Sequence, residues 1–165
     1  MKQKSDCEVL SEYIVSNQEK FYRLAYSYMM NEQDALDMVS EAIVSAYEGF
    51  GNLRNRQGLK TWFYRILVNK CLDGLRRRKR ETPETDDVFV NVPFEEKGYD
   101  STGRILYQAV SNLPDKLKNV MILKYYEEFT FEEIAGITGL NISTVKSRVY
   151  LGIEMLRKNP DLKGA

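Results

Sequence analysis

The side chains with the clearest chemical pattern lie between residues 130 and 150, and they are suited to hydrogen bonding with DNA. Thr130 and Glu133 have the spacing of a capping box, in which each side chain bonds a backbone amide at the start of one helix. Gly139 can adopt the positive φ of a tight turn, and Val145 can hold a second helix against the first. The pattern therefore predicts a helix-turn-helix. Its second helix is expected to contact base edges and phosphates through Ser143, Thr144, Lys146, Ser147, Arg148 and Tyr150.

Other helical hairpins with a polar outer face share part of this pattern. The small side chain of Ala135, where two helices must cross closely, adds to the cap, the glycine and the basic face, and the combination favours DNA binding. Leu140 and Ile142 are expected to fill the remaining apolar positions. Either Asn141 or Ser143 is expected to cap the second helix.

Residues 60–80 hold a second chemical pattern, with aromatic side chains at positions 62–64 and five consecutive basic ones at 76–80. Aromatic faces beside cations suit unstacked nucleic-acid bases, each of which contributes about 1–3 kcal/mol by stacking. Positions three and four residues apart share a helix face. Such a face is formed by Arg65, Asn69, Asp73 and Arg76.

Two interpretations of this helix are open from the sequence. In one, its polar face contacts nucleic acid, and Asp73 either orients Asn69 or Arg76 or accepts a bond from a cytosine amino group. In the other, the aromatic residues are buried and the basic end only complements the dipole of its own helix. We expect the polar face to contact nucleic acid and the Trp62 side chain to be buried.

The composition of the 165-residue chain excludes several kinds of enzyme. The chain contains no histidine, which excludes Ser-His-Asp and Cys-His machinery and zinc sites built on histidine. Cys7 and Cys71 are too far apart for a Cys-x-x-Cys clamp, and we expect a free thiol and a buried small side chain, respectively. No glycine-rich phosphate loop is present, and the acidic residues lie in a linker and along a helix instead of clustering as a nuclease metal site requires. We therefore predict a non-catalytic protein with no cofactor and no metal.

The 24 basic and 24 acidic residues cancel, but they are unevenly spread along the chain. Residues 51–80 contain ten basic residues and one acidic residue, whereas residues 81–103 contain one basic and seven acidic residues. Large blocks of opposite sign indicate a partner that meets only one face of the molecule.

The apolar spacing is helical along nearly the whole chain, and we predict an all-α fold of two small helical domains joined by an acidic linker. Within the linker, Val88–Val92 is a short β-like run, which we expect to form an extended strap, since no second strand signal exists to pair with it. The predicted boundaries are an N-terminal segment leading into the first helix at 1–17, a first domain at 18–80, the linker at 81–101, a second domain at 102–158 and a C-terminal tail at 159–165.

Hydropathy gives no indication of a membrane segment. The longest uninterrupted apolar run, Val120–Leu123, is far shorter than the roughly 18 residues of a membrane helix. The first residues, Met1–Asp6, lead into no apolar segment of a secretory signal. We therefore expect a soluble, cytoplasmic protein without direct membrane insertion.

Three motifs, taken in this order, resemble the sigma-70 family of bacterial transcription initiation factors, and specifically its small extracytoplasmic-function (ECF) group, which has only the second and fourth sigma domains. The similarity covers about residues 18–80 and 102–158. The motifs are DALDMVSEAIVSAY at 34–47, which looks like the core-binding helix pair; TWFYRILVN at 61–69 with Asp73 and Arg76–Arg78, which looks like the −10 reader; and FEEIA at 131–135 with STVKSR at 143–148, which looks like the −35 reader.

The resemblance implies sigma region 2 and sigma region 4 folds and a mechanism without covalent catalysis. Family members bind core RNA polymerase, through the clamp helices of the beta-prime subunit and the flap of the beta subunit, and position it on promoter DNA. The residues that match the clamp-binding positions are Asp37, Ser40, Glu41 and Val44. From the residues alone, Val44 can instead belong to the core and the acidic residues to a solvated face.

The resemblance also implies how the −10 element is bound and melted. Arg65 and Asn69 match positions near a captured, flipped base, and residues 52–59 match the loop that encloses it. Arg76, Arg77 and Arg78 would hold phosphates. The full set expected to act on the −10 element is Lys60, Arg65, Asn69, Asp73, Arg76, Arg77 and Arg78.

The chain departs from the family pattern after the −35 helix. Many relatives carry a basic stretch where this chain has Leu151, Gly152 and Glu154. Phosphate anchoring there is expected to be weaker, and Lys146 and Arg148 are expected to matter more.

The ECF group further implies an anti-sigma factor as partner, which can be membrane-anchored. The acidic linker either threads toward the RNA channel of the polymerase or is a solvated tether. The alternative from another class is a free-standing helix-turn-helix regulator that acts as a dimer on palindromic sites.

Overall fold

The computed structural model of the chain describes residues 4–81 and 101–160, with residues 101–104 described by their backbone alone. Every element in those ranges is helical, which confirms the all-α prediction. The chain divides into two compact units, Met1–Val90 and Asn91–Ala165. The predicted strap and nearly all of the acidic linker lie outside the described residues. None of the described helices is long and apolar enough to cross a membrane.

The described part of the first unit contains three α-helices, α1 (Asp6–Met29), α2 (Glu32–Gly49) and α3 (Leu59–Glu81). Ser5 caps α1 and Asn31 caps α2, each by accepting a bond from the backbone N–H three residues later. Because α1 begins at Asp6, most of the segment at 1–17 is part of this helix. Two short 3₁₀ turns, Phe50–Asn52 and Arg56–Gly58, connect α2 to α3.

Aromatic rings from two helices form the centre of the first unit. The ring centroids of Phe21 in α1 and Phe63 in α3 lie 4.3 Å apart, and Tyr64 meets Phe21 edge-on at 5.3 Å. Such pairs add about 0.5–1.5 kcal/mol beyond the area that they bury. Helix α3 also approaches its neighbours closely at Gly74, where a Cβ would lie 2.9 Å from the sulfur of Met38.

The expectation for Trp62 is wrong in part, because its side chain is only half-buried, against Phe50 at a centroid distance of 5.9 Å. The buried face of α3 passes instead through Phe63, Leu67 and Cys71, at four-residue steps. Phe63 and Tyr64 are both buried, so neither ring can stack on a nucleic-acid base as the aromatic cluster suggested.

The described part of the second unit contains four α-helices, α4 (Ser101–Ser111), α5 (Asp115–Met121), α6 (Phe131–Thr138) and α7 (Ile142–Arg157). A π-helical turn, Ile122–Tyr126, continues α5. Tyr107 of α4 stacks on Tyr126 with ring centroids 5.5 Å apart. Gly152 lets α7 approach α5, because a Cβ there would lie 2.8 Å from Cγ of Met121.

Helices α6 and α7 form the predicted helix-turn-helix. The capping box of Thr130 and Glu133 is present in both directions. Gly139 ends α6 with a φ of 78°, and Val145 is fully buried between the two helices. Asn141 caps α7 by accepting a bond from the backbone N–H of Thr144, which settles the choice between two predicted caps.

The prediction that Leu140 and Ile142 fill the remaining apolar positions of this motif is wrong in part. Leu140 is half-buried, and Ile142 is 37% exposed because it is the first residue of α7, where no preceding helical turn covers it. Ile137 and Val149, each at most 1% exposed, occupy the core instead.

The two cysteines are both free, Cys7 exposed and Cys71 buried, as the sequence predicted. Burial raises the pKa of the Cys71 thiol to about 12, and the thiolate is the reactive form. At about pH 8, we expect a thiol reagent to label only Cys7 in the native chain and both cysteines after unfolding. Mass spectrometry of labelled Cys7→Ser and unaltered chains measures this. Rapid labelling of native Cys71 would contradict the described packing of α3.

Candidate nucleic-acid interface and partner surface

The outer face of α3 carries the side chains predicted to contact DNA. Arg65, Asn69, Asp73 and Arg76 are all exposed, and Lys60 is exposed at the start of the helix. Of the roles open to Asp73, the structure shows one: its Oδ1 accepts a hydrogen bond from Nη1 of Arg76 at 3.0 Å. Arg65 and Asn69 are one turn apart, so a guanidinium and an amide lie side by side on this face.

The loop before α3 is fixed by its own polar contacts. Oδ1 of Asn55 accepts a hydrogen bond from the backbone N–H of Gln57 at 3.0 Å, which forms the second 3₁₀ turn. Arg56 forms an ion pair with Asp6 at the start of α1. The loop therefore has a defined shape where the chain enters α3, next to the half-buried Trp62.

Arg77 and Arg78 are placed differently from Arg76. Nη1 of Arg78 donates to the backbone carbonyl of Met29 at 2.8 Å, and the same guanidinium pairs with Asp34. Nη2 of Arg77 lies 3.7 Å from Oε2 of Glu41. Arg78 thus holds α3 against the preceding helices, which favours a structural role over its predicted phosphate contact, whereas the Arg77 side chain is 52% exposed and makes only this long ion pair.

A groove at the α2–α3 packing contains three of the four side chains predicted to bind the polymerase. Asp37, Ser40 and Glu41 line it together with Arg77. Oδ1 of Asp37 also accepts a hydrogen bond from Nε2 of Gln33 at 3.0 Å. The groove is charged on both walls, so a partner that enters it must supply polar groups.

An exposed apolar stripe follows α2 beside this groove. Val44 is 56% exposed, so the alternative that placed it in the core is wrong. Leu36, eight residues before Val44, is 45% exposed, and Tyr47, three residues after it, is 43% exposed. Both lie on the same side of α2 as Val44. Sequence reasoning did not single out Leu36 and Tyr47 as contact residues, although their spacing from Val44 was the available signal. Apolar side chains that line up on an exposed helix face indicate a docking surface.

Helix α7 exposes the side chains predicted to read DNA. A shallow, open concavity is lined by Ser143, Thr144, Ser147, Arg148 and Leu151, so four of the six predicted residues lie together. The other two, Lys146 and Tyr150, are exposed and one turn apart. The hydroxyl of Ser143 donates to Oδ1 of Asn141 at 3.0 Å, which leaves its oxygen lone pairs as acceptors.

The second unit also has an apolar groove, which contains none of the side chains predicted to read DNA. It is lined mainly by side chains of α4, the π-helical turn and the end of α7. Leu106 and Tyr125, which are among the lining side chains, are 42% and 50% exposed. The groove was not predicted from the sequence, because its residues come from four separate elements.

These features define a helical DNA-binding protein with a helix-turn-helix in its second unit. The family model "Sigma-70 region 2" matches residues 13–81, and "Sigma-70, region 4" matches residues 103–156. The RNA polymerase sigma factor SigV of Bacillus subtilis is 39% identical over 148 residues, which cover 87% of this chain and 86% of that protein. The ECF RNA polymerase sigma factor SigW of the same species is 28% identical, over 94% of this chain and 90% of that protein.

Solved structures share the fold. One is the sigma factor RpoE in complex with the anti-sigma factor NepR from Bartonella quintana, with a TM-score of 0.73 and 24% identity over 90% of this chain and 94% of that chain. Another is CnrH in complex with the cytosolic domain of CnrY, with a TM-score of 0.68 and 19% identity over 90% of this chain and 84% of that chain. The chain belongs to the sigma-70 family, as an RNA polymerase sigma factor of the ECF group.

Proposed function

We propose that this sigma factor binds core RNA polymerase through α2 and holds promoter DNA through α3 and α7. The observation that carries the proposal is that α2 exposes an apolar stripe while the neighbouring α3 exposes arginine and asparagine side chains. Within the first unit, α2 can therefore bind core polymerase while α3 binds promoter DNA. The factor is a non-catalytic initiation factor without a cofactor, and it acts in the cytoplasm.

At the −10 element, α3 would hold a flipped base of the non-template strand. Opening a base pair costs a few kcal/mol, and capture of the released base offsets part of that cost. Arg65 and Asn69 supply hydrogen-bond donors and an acceptor on the exposed face, and the turn formed by Asn55 shapes the loop beside them. Arg76 and Lys60 add positive charge for the adjacent phosphates. Asp73 orients Arg76 within this group.

At the −35 element, α7 would lie in the major groove. Replacing Lys146 or Arg148 by alanine should lower transcription from a promoter with an intact −35 element by about fivefold or more, since one good base contact is worth about 1–3 kcal/mol. The same variants should change little on a promoter whose −35 element is already scrambled. Run-off transcription from the two templates measures the difference. An equal loss on both templates would contradict a −35 role.

The polymerase contacts are proposed for two surfaces. Asp37, Ser40, Glu41 and Val44 would meet the clamp helices of the beta-prime subunit, because the charged groove and the apolar stripe adjoin one another on α2. The apolar groove of the second unit would take the flap of the beta subunit. An interface with an apolar centre and a polar rim has this composition.

An anti-sigma factor is proposed as the regulatory partner. RpoE and CnrH, which share the fold, are each found in a complex with another protein, and the partner of RpoE, NepR, is an anti-sigma factor. Such a partner would compete with the polymerase for the same exposed side chains of α2. The anti-sigma factor can be membrane-anchored without this chain itself entering the lipid bilayer.

A gel shift with and without core polymerase tests the proposal against a free-standing regulator. We expect weak, salt-sensitive binding of duplex promoter DNA by the chain alone, a specific complex after core polymerase is added, and a monomer by light scattering. Tight binding to a palindromic site by a dimer, with no further effect of core polymerase, would contradict it.

A further inference from the structure

The ion pair between Asp6 and Arg56 joins two segments that are far apart in the chain. Asp6 is the first residue of α1, and Arg56 begins the second 3₁₀ turn of the α3 entry loop (residues 52–59). Asp6 lies outside residues 13–81, which match the region 2 family model. The contact is therefore a feature of this chain that the matched region does not contain.

The first turns of α1 give this contact a firm support. The hydroxyl of Ser5 accepts a hydrogen bond from the backbone N–H of Glu8 at 3.2 Å, which caps the helix. The hydroxyl oxygens of Ser11 and Tyr47 lie 2.5 Å apart, in a hydrogen bond that joins α1 to the last turns of α2. Because α2 leads into the α3 entry loop, the start of α1 is held at the end of the unit where the loop begins.

The two arginines of the α3 entry loop have different surroundings. Among residues 4–81 and 101–160, Arg54 has no carboxylate at salt-bridge distance, whereas the guanidinium of Arg56 is paired with Asp6. A carboxylate in the first turn of a helix is also favoured by the helix dipole. Because Asp6 offsets the charge of Arg56, Arg54 has the more available charge of the two, and Arg56 instead fixes the middle of the loop.

We propose that Asp6 is a positioning residue for the −10 element, which acts through Arg56 to hold the α3 entry loop in the shape that encloses a flipped base. This inference rests on the proposed function, in which α3 and the loop before it capture that base. It gives the start of α1 a part in promoter selectivity, and it gives Arg56 a structural role instead of a contact with DNA.

The size of the expected effect follows from the exposure of the pair. Both side chains are exposed, and an exposed ion pair changes an equilibrium constant by at most about fivefold. The loop is already fixed by the turn at Asn55 and by the contact of Phe50 with Trp62, so the ion pair restricts only the freedom that remains. A loop that is fixed before DNA arrives loses less entropy when it encloses a base.

The first experiment measures the binding of −10 DNA by polymerase reconstituted with the full chain. The probe is a labelled single-stranded oligonucleotide with the non-template −10 sequence of a promoter found by mapping transcript starts, and anisotropy measures its affinity. Asp6→Asn should weaken binding about two- to fivefold, whereas Asp6→Glu, which keeps the carboxylate, should bind as the unaltered chain does. The matched control is Glu8→Gln, which removes an exposed carboxylate from the same end of α1.

The sign of the change separates positioning by Asp6 from a general effect of charge. Removing a negative charge near DNA lessens the repulsion of phosphates, so charge alone predicts equal or tighter binding by the Asp6→Asn chain. Binding by Asp6→Asn that equals binding by Glu8→Gln, or that is tighter than binding by the unaltered chain, would overturn the proposal.

Base preference is a readout that a purely structural role of Asp6 would not change. Each base of the −10 oligonucleotide is replaced in turn, and the loss of affinity is compared between the unaltered and Asp6→Asn chains. We expect Asp6→Asn to reduce the discrimination about two- to fivefold at the flipped base and to leave the other positions unchanged. An equal reduction at every position, or none, would show that Asp6 does not position the loop around that base.

A double-variant experiment tests whether Asp6 acts through Arg56. Arg56→Gln should weaken binding as much as Asp6→Asn does, and the chain with both substitutions should bind no more weakly than either single variant. Arg54→Gln is the control, because it removes a cation of the same loop that Asp6 does not pair with, and its loss should multiply with that of Asp6→Asn. Losses that also multiply for Asp6 and Arg56 would overturn the positioning role.

The unaltered chain separates these results from a failure of the proposed function. If its complex with polymerase prefers the −10 oligonucleotide to a scrambled sequence, and the Asp6 and Arg56 variants keep the same affinity and base preference, only the positioning role is rejected. If the unaltered complex shows no preference for the −10 sequence, the proposed capture of a −10 base fails, and the role of Asp6 fails with it.

Discussion

Replacing Val44 by aspartate should weaken binding to core RNA polymerase about 100-fold, equivalent to about 2.7 kcal/mol. The side chain is 56% exposed at the centre of the apolar stripe on α2, so a docked partner would bury the new carboxylate without a counter-charge. Burying an unpaired charge in an interface costs about 2–5 kcal/mol. Stability should change by less than about 0.5 kcal/mol, because the position is on the surface.

The measurement is titration of labelled chain with core polymerase, followed by fluorescence anisotropy. Ser16→Asp is the matched control, since it adds the same charge at an exposed position of α1 instead of α2. Thermal unfolding of both variants checks that the fold is retained. Unaltered affinity of the Val44→Asp chain would show that the polymerase does not dock on this stripe.

Replacing Arg65 or Asn69 by alanine should slow open-complex formation about tenfold, or about 1.4 kcal/mol in the barrier, on a suboptimal promoter. Each substitution removes a hydrogen-bonding group from the exposed face of α3, so less of the cost of base opening is recovered. Binding to core polymerase should change little, because neither side chain lies on α2.

Permanganate footprinting of unpaired thymines follows strand opening over time, and anisotropy with core polymerase measures the binding. Arg23→Ala serves as the control, since Arg23 is an exposed arginine on α1 of the same unit. Opening rates equal to those of the Arg23 variant would remove Arg65 and Asn69 from the −10 site. If the Arg65 and Asn69 variants also bound core polymerase more weakly, the two side chains would belong to the polymerase-binding surface instead of the −10 site.

Local sequence patterns predicted the helices well because their signals involve residues a few positions apart. The capping box at Thr130 and the left-handed turn at Gly139 each depend on one helix end, and each is present in the structure. The burial of Cys71 follows from four-residue spacing along α3 in the same way. Spacing alone did not reveal which aromatic residue of α3 remains partly exposed. That depends on how neighbouring helices pack against Phe63 and Tyr64.

The candidate sites were less predictable, because they depend on contacts between distant parts of the chain. A run of three arginines reads as one basic cluster, yet a helix turns successive residues by about 100°. Arg78 therefore reaches the backbone of Met29, 49 positions earlier, whereas Arg76 stays on the outer face with Asp73.

The balance of acidic and basic residues gains meaning from this arrangement. Several of the basic residues within 51–80 are exposed on α3. Two acidic residues of α2, Asp34 and Glu41, instead form ion pairs with Arg78 and Arg77 of α3. A net charge of zero is therefore compatible with a basic exposed face on α3.

Run-off transcription with core polymerase shows whether the chain directs initiation at a defined promoter. On templates chosen by mapping transcript starts after overexpression, the chain should direct a transcript of defined length that is absent with core polymerase alone. The transcript should be lost with Val44→Asp and reduced with Arg65→Ala. If an active core preparation gives no promoter-specific transcript with the unaltered chain, the proposed promoter and polymerase contacts are wrong.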